Sequence, residues 1–149
     1  MIKSHHQMQN TLESVDPVVT SLKAVVCVVL DPETAVRFEI CVSEALINLV
    51  KHAKPKISAG DIEVTVTEQD QIILVEIFDP FGADAFDPRD HAADLETIEL
   101  LAEEGRGLGL IMQCADAVDY GLSGGRNRLA LQFVKATKPI IALQSGEQE

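Results

Sequence analysis

The stretch Ser43-Glu44-Ala45-Leu46-Ile47-Asn48-Leu49-Val50-Lys51-His52-Ala53 decides how this chain is read. Four residues at 3.6 per turn advance a side chain by about 40° beyond a full rotation, so Glu44, Asn48 and His52 form one stripe along a helix. Phe38, Cys41, Val42, Ala45, Leu46, Leu49, Val50 and Ala53 make a broader apolar face, which must pack against a core to hold the helix. A carboxylate beside such a face is costly to desolvate unless it has a partner or a task. The plain alternative is an amphipathic helix whose polar edge is simply wet, and the rest of the chain decides between the two.

The length of 149 residues suits one domain with a full core and is short for two. A hydrophobic content of 46% argues for a compact globule rather than disorder. Twelve basic against 24 acidic residues leave a formal net charge of -12, which opposes direct binding to nucleic acid or to an anionic membrane. Any phosphate ligand must therefore be held by backbone amides, a metal or a few placed cations. Residues 1–10 hold two His and no apolar run, unlike a secretory signal, and residues 15–30 are broken by Asp16, Pro17 and Lys23, unlike a membrane span. Cys27, Cys41 and Cys114 lie among aliphatics, which points to reduced core thiols in a cytoplasmic protein; they have no metal-ligand spacing with His5 and His6.

Asp16-Pro17 opens a first helix over about 18–29, with Asp16 as N-cap. Asp31-Pro32-Glu33-Thr34 caps a second helix over about 34–52, which Lys54-Pro55-Lys56 ends. Ile62, Val64 and Val66 alternate with polar residues, and 72–78 is a nearly continuous apolar run, so the two read as strands of a hairpin joined through Glu68-Gln69-Asp70. From 79 to about 104 turn chemistry gives way to many acidic groups with little periodicity, the pattern of a lid or a loop. A helix over about 110–117 and strands over about 118–122 and 129–135 follow, the strands joined through Ser123-Gly124-Gly125-Arg126-Asn127; a short strand near 5–9 precedes everything, and 144–149 reads as a frayed tail. Clustered strand pairs rather than regular alternation predict an α+β two-layer sandwich, with helices on one face of a mixed, mostly antiparallel sheet.

Gly105-Arg106-Gly107-Leu108-Gly109-Leu110 leads into a helix, where consecutive backbone N–H groups can approach an anion and Arg106 can add a charged fork. No Gly-Lys-Ser/Thr follows and no strand immediately precedes, so it is neither a Walker A loop nor a dinucleotide fingerprint, and a lid hinge is the plain alternative. Asp79 lies just past an apolar strand and before Gly82. A carboxylate there can accept a hydrogen bond from an exocyclic amine while a nearby Gly lets a flat ring approach the backbone; an ordinary Asp-Pro turn is the plain alternative.

Taken together, Glu44-x3-Asn48-x3-His52, a strand ending in Asp79 and Gly82, an acidic lid and the 105–109 glycines resemble the N, G1 and G2 boxes of the GHKL ATPase superfamily. Within it the chain looks most like the anti-sigma factor serine kinases of bacterial partner-switching systems, the RsbW and SpoIIAB group, over about 15–135, including Asp116-Ala117-Val118-Asp119-Tyr120 and Asn127-Arg128-Leu129-Ala130-Leu131. The resemblance implies a single histidine-kinase-like ATPase domain of Bergerat type spanning 1–149, with ATP and Mg²⁺ as cofactors. It implies that Asn48 ligates Mg²⁺, that Glu44 is the general base, and that Asp79 holds the adenine amine with Gly82 beside the ring. Gly105, Gly107, Leu108 and Gly109 would wrap the phosphates, Arg106 would serve the terminal phosphate or a partner surface, and His52 would be structural or nucleotide-lining. One departure is that the family's Gly two residues after the Asp is Phe81 here, with Gly82 following and a slightly longer loop before Phe86-Asp87-Pro88.

The function implied is an ATP-dependent protein serine kinase that phosphorylates a STAS-domain antagonist and, in the other state of the switch, sequesters a sigma factor or another regulator, with a homodimer through the sheet as a family habit. A non-catalytic nucleotide-dependent binding module is the alternative, disfavoured by the presence of Glu44. Eukaryotic-type kinase elements are absent. The lid acids Asp94, Glu96, Glu99, Glu103 and Glu104 are expected to be mobile without nucleotide, and a solvated face explains their charge equally well.

Overall fold

Strict alternation of apolar and polar residues builds the sheet. Ile62, Val64 and Val66 on one strand and Ile73, Val75 and Ile77 on the next are buried, while the residues between them are half-exposed. A computed structural model describes residues 1–52, 60–91 and 103–135, with backbone alone at 91 and 103–106. The strands are β1 (Lys3–Met8), β2 (Ile62–Glu68), β3 (Ile72–Phe78), β4 (Ala117–Ser123) and β5 (Arg126–Val134), in the spatial order β1-β2-β3-β5-β4. Every described pairing is antiparallel, which narrows the expected mixed sheet. Gly124 and Gly125 close the β4–β5 hairpin with φ of 60° and 84°, the positive pair that a two-residue turn of matching twist requires.

The helices are α1 (Val15–Val26), α2 (Pro32–His52), α3 (Pro88–His91) and α4 (Glu103–Cys114). The first begins three residues before the expected start, after a 3-10 turn over Leu12–Ser14. Pro17 permits this because the first N–H groups of a helix have no intrahelical acceptor to lose. Ser14, not Asp16, occupies the cap position, without a side-chain bond. At the second helix Asp31 caps as expected, its Oδ1 accepting the Thr34 N–H at 2.7 Å, and Pro32 takes the first helical position. The bonds from Thr34 hold the Asp31 carboxyl below its ordinary value.

The larger helices bury one stripe each against the same sheet face, as the two-layer reading predicts. Phe38, Cys41, Val42, Ala45 and Leu46 of α2 meet Leu131 and Phe133 of β5 in one core, and the Phe38 and Phe133 rings lie 5.1 Å apart at 59°. α2 also supports α4. Arg37 donates from one terminal nitrogen to the Cys114 carbonyl at 2.8 Å, and the Cys41 thiol points at the Ile111 carbonyl at 3.6 Å, so acceptors at the C-terminal end of α4 are met by side chains of α2. Cys41 and Cys114 are core thiols as expected; Cys27 is exposed, because it follows the last turn of α1 on its outer side.

Among the described residues no helix is long and apolar enough to cross a membrane. The end of α2 at Lys54-Pro55-Lys56, the lid residues Asp94, Glu96 and Glu99, and the tail at 144–149 lie outside the described residues.

Phe38→Ala is expected to lower stability by about 3–5 kcal/mol, since the site is fully buried between helix and sheet and cannot collapse without moving Phe133. Urea unfolding followed by far-UV circular dichroism measures this.

Candidate functional site

The polar stripe of α2 forms as the helical spacing predicts, but its three members differ in environment. Asn48 is 6% exposed, Glu44 and His52 are half-buried. The Asn48 amide nitrogen donates to the Glu44 carbonyl one turn back at 2.9 Å, which turns the carboxamide oxygen away from its own helix as the atom available to a ligand. His52 lies with its ring stacked on Phe86, centroids 4.3 Å apart and planes at 11°.

Asp79 follows β3 directly and is 2% exposed. Its backbone is clamped on both sides, the N–H donating to the Asn127 carbonyl at 2.9 Å and the carbonyl accepting Nε of Arg126 at 2.8 Å. The two terminal nitrogens of Arg126 reach the Asp61 carbonyl at 3.0 Å and Glu63 at 2.8 Å, so this buried guanidinium ties three segments around the strand end. The Tyr120 hydroxyl donates to Asp79 Oδ2 at 3.3 Å. Burial pushes the Asp79 carboxyl up to about 6, against the opposing pull of hydrogen bonds from Asn127 and Tyr120 and the charge of Arg126. A carboxylate kept this dry at a strand end is a poor choice for stability and a good acceptor for a ligand N–H donor.

The glycine run is where expectation and structure part. A helix was expected from about residue 110, yet the chain is already helical at Glu103, so Gly105, Gly107 and Gly109 lie inside α4 rather than in a loop before it. The amides of Gly107 and Gly109 therefore lie within the helical ladder, while Gly105 belongs to the first turn, whose N–H groups have no intrahelical acceptor. Glycine at 107 leaves room for a side chain of α2. A Cβ there would stand 2.5 Å from Oε1 of Glu44 and 3.7 Å from the Asn48 amide nitrogen, so α4 crosses α2 directly over the polar stripe. Leu108 and Gly109 are buried beside it, and the Arg106 side chain lies outside the described residues.

Gly82 has a local role in the backbone. It has φ of 83°, and the Ala83 N–H donates to the Pro80 carbonyl at 3.2 Å, so Pro80-Phe81-Gly82-Ala83 is a type II turn with glycine where the left-handed conformation falls. The turn accounts for the glycine, and Gly82 does not line the cleft described next. Phe81, at the position where a glycine was expected, is 63% exposed and lies over the Arg126 guanidinium, 4.4 Å from its ring centre.

A cleft open to solvent runs between α2, α4 and the sheet. Asn48, His52, Asp79 and Leu108 of the expected residues line it, together with Phe86, Tyr120 and the apolar side chains of Ile77, Ile111 and Leu129. Glu44 and Gly107 sit beside Asn48 one turn along. The sequence reading assigned no role to Tyr120, Asn127, Arg126 or Phe86. A signal existed for two of them, because Asn127 and Tyr120 stand in the inward rows of β5 and β4, rows that otherwise carry Leu129, Leu131, Phe133 and Val118.

Since folding raises the Asp79 pKa from 3.8 to about 6, the folded chain binds this proton more tightly than the unfolded chain, and stability falls as pH rises through that window. Asp79→Asn is therefore expected to be more stable than the parent by about 3 kcal/mol at pH 7 and to lose the advantage by about pH 4. Urea midpoints of both proteins at the two pH values provide the check.

The family described as "Histidine kinase-like ATPase domain" matches residues 8–133. The comparison with curated proteins finds no match. Among solved structures, the RsbU and RsbW domains of Rv1364c from Mycobacterium tuberculosis superpose with a TM-score of 0.63 at 14% identity, over 92% of this chain and 34% of that chain. This chain thus spans about a third of that protein's structure, and at this identity the likeness is one of fold. The matched span takes in the α2 stripe, Asp79 and the α4 glycines, and by it this chain belongs to the histidine kinase-like ATPase domain family.

Proposed function

We propose that the chain is an ATP-dependent protein serine kinase of a partner-switching system, acting on a STAS-domain antagonist and holding a sigma factor or another regulator in the alternate state. The observation that carries this reading is that Glu44, Asn48 and Gly107 meet at one end of the cleft whose other wall is Asp79. A purine needs a buried acceptor for its exocyclic amine and apolar walls for its ring, and Asp79 with Ile77, Ile111 and Leu129 offers both.

Asn48 fits Mg²⁺, because its amide nitrogen is already spent and its oxygen is the hard donor this ion prefers, with water and phosphate completing the shell. When bound, that ion would neutralise charge on the transferred phosphoryl group. Glu44, half-buried beside Asn48, would take the proton from the incoming serine hydroxyl, an effect worth roughly 10² to 10⁴ in rate. The α4 glycines would supply amides to the phosphates at the cost of opening the first turns of that helix. Glycine makes the cost small, since each one already weakens a helix by about 1 kcal/mol. His52, stacked on Phe86, forms part of the wall.

Glu44→Gln is expected to keep ATP affinity within about twofold and to abolish transfer of labelled phosphate to a STAS substrate, since it removes the base and keeps the shape. Transfer at the parental rate from this variant would overturn the assignment.

Gly107→Ala separates stability from chemistry at the same contact. The new methyl meets only the flexible tip of Glu44, so the thermal midpoint should hold or rise with helix propensity, by up to about 1 kcal/mol, while displacement of the carboxylate lowers phosphotransfer by 10² or more. Thermal unfolding and the same labelling assay measure the two effects separately.

A further inference from the structure

Tyr120 is the one tyrosine of the chain and comes from β4, at the edge of the sheet, where it stands opposite Leu129 in the inward row. Its hydroxyl touches two parts of the cleft. It accepts the backbone N–H of Phe86 at 2.9 Å and lies 3.3 Å from Asp79 Oδ2. A hydroxyl has one hydrogen, and a backbone N–H can only donate, so the Phe86 bond occupies an acceptor site and leaves the hydrogen for Asp79. Phe86 in turn stacks on His52 and leads into Asp87 and Pro88, the segment between the strand end and α3.

We propose that Tyr120 is a positioning residue for the base pocket: its hydroxyl holds the Asp79 carboxylate as an ionised acceptor and seats the Phe86 segment against the same cleft, so that recognition of an exocyclic amine and docking of that segment share one group. The proposal rests on the nucleotide reading above for what binds, but not for the contacts themselves.

The surroundings favour this assignment. From β5, Arg126 and the Asn127 amide also favour the charged form of Asp79 and Tyr120 adds the third contribution, while burial opposes all three. From α2, Asn48 and His52 face the cleft. Burial, helped by the Asp79 charge and more weakly by Asp87, pushes the Tyr120 hydroxyl up to about 12 against the pull of the Phe86 N–H, so it stays a donor throughout the neutral range. Phenylalanine at 120 would keep the ring and remove both bonds.

The test uses the full chain and Tyr120→Phe, with unchanged far-UV circular dichroism as the sign that the fold is kept. Without nucleotide, the carboxyl ¹³C titration of Asp79 should move upward by about half a unit or more, because a bond to the charged form is lost. Hydrogen exchange at the Phe86 amide should speed up by about tenfold or more. With ADP, calorimetry between about pH 5.5 and pH 8 should show a loss of about 1.5- to threefold near pH 6.5 that narrows at the alkaline end, while Asp79→Asn shows no such pH dependence. An unshifted Asp79 titration, or parental exchange at Phe86, overturns the assignment of Tyr120. A parental chain that binds no adenine nucleotide overturns the pocket reading and the binding part of this proposal, a failure the two nucleotide-free measurements distinguish from the first.

Discussion

A carboxylate kept dry at the end of a strand is the constraint around which this end of the molecule is arranged. Asp79 is 2% exposed, and its burial raises its proton affinity, so every neighbour that favours the charged form offsets part of that cost. Arg126 is buried with it and tied to Asp61 and Glu63; Asn127 faces it from the start of β5; Tyr120 reaches it from β4. Three strands and the segment after β3 are held in register by these bonds. A core built for stability alone would place an apolar residue here, and the buried carboxyl is what makes this strand end a candidate site.

The second constraint is the crossing of α4 over α2. Helices approach as closely as the side chains between them allow, and at Gly107 nothing intervenes but the Glu44 carboxylate. Arg37 and Cys41 anchor the far end of α4 through its carbonyls, so the glycine-bearing end is set by a lever whose fulcrum is firm. Stability is concentrated at the C-terminal half of α4, and the half carrying Gly105 and Gly107 has the lower helix propensity. The proposed exchange of helix bonds for contacts to phosphate oxygens would thus fall where the helix is weakest.

The loop after Asp79 shows how a local departure can leave a site intact. With Phe81 in place of the expected glycine, the chain makes a type II turn one residue later, and the phenyl ring covers the Arg126 guanidinium instead of entering the cleft. One face of the Arg126 guanidinium is thereby covered, while its nitrogens keep their bonds to the Asp79 and Asp61 carbonyls.

The sequence by itself determined what depends on period and on local chemistry. The i, i+4 stripe on α2, the alternating strands, the Asp31 cap and the Gly124-Gly125 hairpin each follow from side chains a few residues apart. It also supplied Asp79, Asn48 and the glycines as candidates, because residue type and order survive without coordinates. Tertiary structure alone decided which of them meet. That Gly107 faces Glu44, with 2.5 Å from its Oε1 to where a Cβ would be, and that Tyr120 and Asn127 complete the surroundings of Asp79 are facts about segments more than 40 residues apart. No periodicity encodes such contacts. They arise when α2, α4 and the sheet bury their apolar faces together, and the polar groups at the seams take the partners that packing leaves them.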